Sequence, residues 1–179
     1  IYEERLQAWR QELAEHGVDL KTAMCADING VSMGYRDAMI RSGVEFLYMN
    51  IHCHHGMYPL FQNQTPFWWE NKEGKRLLVW NGEHYNLGNV LGLKPNKTTN
   101  YMQQSYLGRD VQPDRPEEVL YRNLSEYLES CEEQGYKYNF IIASVSGVFS
   151  DNAPPSTEIL DTIRKYNEVH GDEAEIRMV

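Results

Sequence analysis

The stretch LKTAMCADINGVSMGYRDAMIRSGVEFLYMNIH, residues 20–52, decides how the chain folds. Residues 20–26 are short and largely apolar, and they predict a buried strand that a turn-forming Asp-Ile-Asn-Gly sequence ends. Ser32 is a helix-capping residue type, and it introduces a predicted helix over 33–42. Residues 46–51 predict a second buried strand. A strand, a helix and a strand in this order are typical of a parallel crossover unit.

The same alternation continues on both sides of this stretch. The spacing of apolar residues predicts helices at 2–16, 116–134 and 155–169 and two further buried strands at 139–145 and 175–179. The sequence therefore predicts an α/β fold in which parallel strands alternate with helices. We expect 1–179 to be a single α/β domain. Because the chain opens directly in a helical pattern and stops in a strand pattern, we also expect it to be a piece of a larger protein.

An aromatic β-hairpin interrupts the alternation. Residues 66–70 and 75–80 are rich in aromatic and β-branched side chains, and Gly74 supplies the turn between them. The segment 81–113 has weak periodicity and many Asn, Gly and Tyr residues, so we expect loops and a short helix there.

Composition excludes several classes of partner. The net charge of -9 argues against nucleic acid, because phosphate binding needs clustered Lys and Arg. No apolar run approaches the roughly 18 residues that a membrane span needs. Three cysteines give no paired framework, and an odd number fits a reducing compartment, so we expect a cytoplasmic protein.

Polar side chains follow the predicted strands at the point where each ends. Since ligands of such folds bind beyond the carboxyl ends of the strands, these side chains should meet at one rim. They are Asp27, His52, His54, His55 and Asp151. A carboxylate and imidazoles at one rim can bind a divalent metal such as zinc. The alternatives are loop hydrogen bonding and packing for the histidines, and turn or helix-cap roles for the two aspartates.

Aromatic side chains in and after the hairpin indicate the class of ligand. The candidates for substrate binding are Trp68, Trp69, Trp80 and Tyr85, with amides interleaved among them. Flat apolar rings beside amides suit carbohydrates, which present C–H faces and hydroxyl edges. The alternatives are a core built around the hairpin or a protein interface. Because Trp68 and Trp69 are adjacent, one should face inward and the other outward.

Two motifs in fixed order carry a family resemblance. CADINGVSMGYRDAMIRSGVEFLYMNIHCHHG, residues 25–56, and PFWWENKEGKRLLVW, residues 66–80, resemble the catalytic core of glycoside hydrolase family 38, the α-mannosidases and their bacterial relatives. The resemblance runs from about residue 3 to the end and is strongest over 25–80. It rests on an Asp-x-x-Gly-x-Ser turn, a helix, a strand and an aromatic hairpin.

The resemblance implies part of a β/α barrel-like domain, a zinc ion and a retaining mechanism on α-linked sugars. It implies that Asp27 is both a zinc ligand and the nucleophile. The acid that protonates the leaving oxygen is not assigned, and Glu83 and Asp110 lie in the corresponding loop region. The expected partners are a carbohydrate substrate and the remainder of the parent polypeptide.

The chain departs from the family pattern in three ways. The family's first zinc ligands come from a His-x-Asp motif near its N-terminus, and no such motif precedes Asp27 here. Val31 and Ser150 stand where the family has histidines. These departures favour a non-catalytic carbohydrate-binding domain that kept the fold. A metal-dependent carbohydrate deacetylase is a further alternative, since His52 and His55 are spaced as a ligand pair. We expect His52 or His54 to line the sugar pocket.

Overall fold

The computed structural model describes residues 1–28, 30–51, 64–93, 116–145 and 157–179. They fall into two compact units, Ile1–Tyr85 and Asn86–Val179. The first unit contains α1 (Tyr2–Glu15), β1 (Thr22–Ile28), α2 (Met33–Arg41), β2 (Phe46–Ile51), β3 (Thr65–Glu70) and β4 (Arg76–Gly82). The second contains α3 (Leu87–Leu91), α4 (Pro116–Glu133) and α5 (Glu158–His170). None of the helices in these ranges is both long and apolar enough to cross a bilayer.

The first unit is built on a four-stranded mixed sheet in the order β1-β2-β4-β3. β1 pairs with β2, and β2 with β4, in parallel. β3 and β4 form the predicted antiparallel hairpin. An α/β fold is therefore confirmed. The four strands make an open sheet, bordered by β1 and β3 within the described ranges, and do not close into a barrel.

The helix between β1 and β2 has the predicted capping. Ser32 accepts a hydrogen bond on its side chain from the backbone N–H of Tyr35 at 3.2 Å. The helix ends at Arg41, and two residues later Gly43 has a φ of 81°, in the left-handed region that glycine adopts without strain. After this helix, β2 runs parallel to β1 and pairs with it.

One face of the sheet, the inner face, carries the core of the first unit. Its buried residues come from the end of α2, the connection to β2, and the strands β2 and β4, and they are Met39, Val44, Leu47, Met49, Leu77 and Val79. Leu6 of α1 and Tyr35 of α2 pack against them. Residues between these strand positions point to the opposite, outer face, where Phe46 is 42% exposed and Met24 is 56% exposed.

The second unit is helical in its described part. Leu87 and Leu91 of α3, Leu120 and Leu124 of α4, and Ile163 and Tyr166 of α5 form one buried cluster. The predicted helix at 116–134 is confirmed as α4, and the helix predicted at 155–169 is confirmed as α5 from Glu158 on, while residues 155 and 156 lie outside the described residues.

The two strands predicted for this unit are wrong. Residues 139–145 and 175–179, all of which the structure describes, form no strand. Ile141, Ala143 and Val145 instead pack against the buried cluster of the helices. At 175–179 a side chain takes the place of a neighbouring strand, because the amide of Asn167 both donates to the carbonyl of Ile176 and accepts from its N–H, each at 2.9 Å.

Candidate functional site

The candidate site lies where the parallel strands β1, β2 and β4 end, at the side of the sheet that we call the carboxyl edge. The register places Ala26 of β1, Asn50 of β2 and Gly82 of β4 in one row across the sheet. Asp27 follows Ala26 directly, and Glu83 follows Gly82 directly. The sequence predicts Asp27 just beyond the first strand, whereas β1 runs to Ile28, so Asp27 lies one residue before the end of that strand. Ligands of open α/β sheets bind at this edge.

Asp27 occupies a β-bulge. Ala26 pairs with Asn50 and Ile28 pairs with Ile51, so Asp27 is the extra residue between two successive pairs. Its φ is 56°, in the left-handed region that non-glycine residues rarely adopt, and the residue is exposed. Bulges of this kind re-aim a side chain and are frequent beside active sites. The bulge therefore turns Asp27 out of the strand's alternating pattern.

Gln64 brings a second left-handed backbone to the carboxyl edge. It comes one residue before β3, and because β3 runs antiparallel to β4, the start of β3 lies beside the end of β4. Its φ is 54°, and it is only 1% exposed. Its side-chain oxygen accepts a hydrogen bond from the indole N–H of Trp80 at 3.0 Å. Sequence reasoning missed Gln64, since no local pattern marks a buried amide.

Asn50 is the buried polar side chain of the middle strand. Its Nδ2 donates to the Tyr48 hydroxyl at 3.1 Å and to the Glu83 carbonyl at 2.7 Å. A Cβ on Gly82 would lie 2.9 Å from the Tyr48 ring and 3.3 Å from Asn50 Nδ2. Glycine is therefore needed at the end of β4 to admit this packing. The sequence analysis did not single out Asn50 or Gly82.

The four predicted aromatic residues have different positions. Trp69 packs against the inner-face core, and its ring lies 5.4 Å from the guanidinium carbon of Arg36. Trp68 lies on the outer face, 54% exposed, with the guanidinium carbon of Arg76 4.3 Å from its ring. One tryptophan thus faces inward and the other outward, as predicted.

Only Trp80 and Tyr85 of this set lie near the carboxyl edge. Trp80 is two residues from Gly82, a rise of about 7 Å along the strand, whereas Trp68 pairs with Leu78, about 13 Å from the same row. Tyr85 is half-buried, and its ring stacks on that of His84 at 4.2 Å between centroids. His84 is itself buried, at 4% exposed.

Among the described cysteines, Cys25 is the closer to Asp27 in sequence. It lies on the inner face, paired with Met49. Burial raises the pKa of its thiol, and a hydrogen bond with Tyr35 lowers that pKa by less. The sulfur therefore stays protonated near neutral pH, which makes it a poor nucleophile.

Several predicted site residues lie outside the described residues. They are His52, His54, His55, Asp151 and the acid candidate Asp110. Within the ranges that the structure describes, no three His, Cys, Asp or Glu side chains come together as a metal-binding group. The described part of the site is thus a carboxylate on a bulge of β1, with the buried amide of Asn50 on the neighbouring strand and with Trp80 and Gln64 farther along the same edge.

Comparisons of the chain with models of known protein families, with curated proteins and with solved structures find no match.

Proposed function

We propose that this chain carries the nucleophile of a retaining glycoside hydrolase site for α-linked sugars, and that Asp27 is that nucleophile. One observation carries the proposal: an exposed aspartate on a left-handed bulge at the carboxyl edge. The resemblance to α-mannosidases supports it, because the nucleophile of that family lies in the same Asp-x-x-Gly-x-Ser turn. The β/α barrel-like architecture is a further proposal that rests on the resemblance alone.

The proposed reaction has two displacements at one carbon. A carboxylate oxygen of Asp27 attacks the anomeric carbon and forms an ester, while the glycosidic oxygen leaves with a proton from an acid. A water molecule, deprotonated by the same group, then cleaves the ester and returns Asp27 as a carboxylate. The two displacements attack the anomeric carbon from opposite faces, so its configuration is retained.

Glu83 is the described candidate for the acid. It follows β4, which lies two strand spacings, about 10 Å, from β1. The two carboxyl groups of retaining enzymes are about 5 Å apart. The Glu83 side chain would have to lean across the end of β2 to reach this separation. Its backbone carbonyl is already held there by Asn50.

Zinc is part of the proposal only through the resemblance. Structural and catalytic zinc sites take three or four protein ligands, and the described residues bring no three such ligands together at this edge. The described side chains therefore do not by themselves fit a zinc site, and the displacement steps above do not involve the metal. Titration calorimetry of Zn²⁺ with the metal-stripped chain and with Asp27→Ala tests the metal separately.

Covalent trapping tests the proposed nucleophile. A fluorinated mannosyl fluoride, which slows cleavage of the ester, should add one sugar mass to the protein, and peptide mapping should place it on Asp27. Asp27→Asn should abolish the adduct. The matched control is Asp161→Asn, on the exposed side of α5, which should leave labelling unchanged. Labelling at another carboxylate would show that the assignment is wrong.

A non-catalytic carbohydrate-binding role is the second candidate. The observation that favours it is the outer-face position of Trp68, whose ring is 54% exposed beside Arg76. Exposed indole rings offer a flat surface to the C–H face of a sugar. On this reading Trp68→Ala would abolish binding of methyl α-D-mannopyranoside, while Asp27→Ala would leave binding intact and no glycoside would be turned over.

A further inference from the structure

Asn50 holds an unusual position among the polar groups of the carboxyl edge. It is 1% exposed, and it lies between Ala26 of β1 and Gly82 of β4. Its two amide hydrogens are both used, one by Tyr48 and one by the carbonyl of Glu83. Because the second acceptor is a backbone carbonyl, the amide orientation is set: Nδ2 faces Glu83 and Oδ1 faces away.

The Oδ1 atom of Asn50 is buried and has no hydrogen-bond partner among the described residues. A buried carbonyl oxygen without a partner costs about 1–3 kcal/mol, so native proteins seldom leave one in place. Asn50 cannot turn this oxygen to a partner without giving up the short bond to Glu83. The strand thus holds an acceptor in a fixed direction with nothing to accept from.

The surrounding residues preserve this arrangement. Gly82 packs closely on the donor side of Asn50, since a Cβ there would lie 3.3 Å from Asn50 Nδ2 and 2.9 Å from the Tyr48 ring. Asp27 directly follows Ala26, the register partner of Asn50. The acceptor is therefore one strand away from the bulge that presents the Asp27 carboxylate.

We infer that Asn50 is a specificity-determining residue of the Asp27 site, whose Oδ1 accepts a hydrogen bond from a hydroxyl group of the bound sugar. This inference rests on the proposed function, because it takes the ligand to be a carbohydrate. A site with a buried acceptor strongly rejects an analogue that lacks the matching donor, since the acceptor is then left unpaired. Asn50 would thereby select sugars with a hydroxyl at one ring position.

The test compares methyl α-D-mannopyranoside with its four monodeoxy analogues, which each lack one hydroxyl group. Dissociation constants are measured by calorimetry for the wild-type chain and for Asn50→Ala. One analogue should bind the wild-type chain about tenfold more weakly than the parent sugar, as expected for one lost hydrogen bond. In Asn50→Ala the same analogue and the parent should bind equally, and the other three analogues should keep their wild-type ratios.

Two variants separate recognition from packing. Tyr48→Phe removes one acceptor of Nδ2 and leaves Oδ1 in place, so the tenfold selectivity should persist. Asn123→Ala is the matched control: Asn123 is buried in the second unit, donates to the Leu91 carbonyl at 3.2 Å, and also has an Oδ1 without a partner among the described residues. This variant should leave all five dissociation constants unchanged.

Three results decide the matter. If all four analogues lose affinity equally in both proteins, Asn50 does not read a hydroxyl and the inference is wrong, while the proposed function stands. If the parent sugar does not bind the wild-type chain, the proposed function fails and the inference with it. If Asn50→Ala loses its native circular dichroism, Asn50→Ser replaces it in the same comparison, and selectivity that survives there overturns the inference.

Discussion

Asp27 and Gln64 share one backbone conformation at one edge of the sheet. Their φ angles are 56° and 54°, and they are the two non-glycine residues with positive φ in the described ranges. They belong to opposite borders of the sheet, since Asp27 lies near the end of β1 and Gln64 lies just before β3. Three strand spacings, about 14 Å, separate those borders. Backbone strain is thus confined to the edge that carries the candidate site, as is frequent at functional sites.

The first prediction concerns the strain at Asp27. The free energy of unfolding of Asp27→Gly should be about 1 kcal/mol higher than that of Asp27→Ala, because only glycine adopts this left-handed φ without a Cβ clash. Urea denaturation followed by circular dichroism measures both. In the adjacent position, Ala26→Gly should lower the free energy of unfolding by about 0.5–1 kcal/mol, the usual cost of glycine in a strand. An alanine variant at 27 as stable as the glycine variant would contradict the left-handed bulge.

The second prediction concerns the bond between Gln64 and Trp80. Gln64→Ala should lower the free energy of unfolding by about 1–3 kcal/mol, because the indole N–H of Trp80 loses its acceptor in a partly buried place. Trp80→Phe removes the donor instead. Measured against both single variants, the double variant should be less destabilised than their sum. Strict additivity in this double-mutant cycle would show that the hydrogen bond contributes nothing.

The third prediction concerns two glycines with opposite surroundings. Gly82→Ala should destabilise the first unit by about 1–3 kcal/mol, because the new Cβ would lie 2.9 Å from the Tyr48 ring and 3.0 Å from the Met49 carbonyl. Gly34→Ala should stabilise it by roughly 0.5–1 kcal/mol, because that residue lies in α2 and a Cβ meets only Ser32 Oγ, at 3.9 Å. Thermal unfolding of the two variants should therefore shift in opposite directions.

The fourth prediction concerns Tyr136, whose hydroxyl donates to the Phe140 carbonyl at 2.6 Å. Burial is the main cause that raises its pKa from 10.0 to about 12. Because the folded-state pKa is the higher one, the associated stability is fully present below pH 10 and is lost as the pH rises toward 12. Phenolate absorbance at pH 10.5 should be the same for the wild-type chain and Tyr136→Phe. A lower signal in the variant would mean that Tyr136 ionises in the ordinary range.

The strand-helix-strand core could be predicted from the sequence because its signals are local. Ser32 caps α2, Gly43 follows the end of the helix with a positive φ, and β2 begins three residues later. The hairpin could also be predicted, from its aromatic residues and from Gly74, which has a φ of 76°. Each of these features depends on the residue itself and its near neighbours. The inner and outer faces of Trp69 and Trp68 then followed from simple alternation.

The predicted strands at 139–145 and 175–179 were wrong for a reason that no local pattern reveals. A strand is defined by its partner, and an apolar extended segment can equally pack on helices. The carbonyl of Ser144 accepts from the N–H of Gly88 at 2.9 Å, at the start of α3, and Ile176 is held by the side chain of Asn167. The backbone groups of Ser144 and Ile176 that make these bonds thus find partners without a neighbouring strand.

Only part of the candidate site could be predicted from the sequence. The position of Asp27 followed from strand topology, but its bulge depends on the register with Asn50 and Ile51, which the sequence does not state. Gln64 and Asn50 were missed because amides are common on surfaces, and only the packed structure shows that these two are buried. The predicted histidines stay predictions, since they lie outside the described residues.

The bulge in β1 also affects how β1 could pair with a strand of another molecule. A border strand with a regular ladder of N–H and C=O groups invites strand addition from another molecule, and proteins blunt this hazard with bulges and charged side chains. At Asp27 the ladder of β1 is interrupted by one charged, left-handed residue. A second chain that pairs along β1 would lose its register before reaching the carboxylate. We therefore expect the bulge at Asp27 to disfavour edge-to-edge pairing along β1.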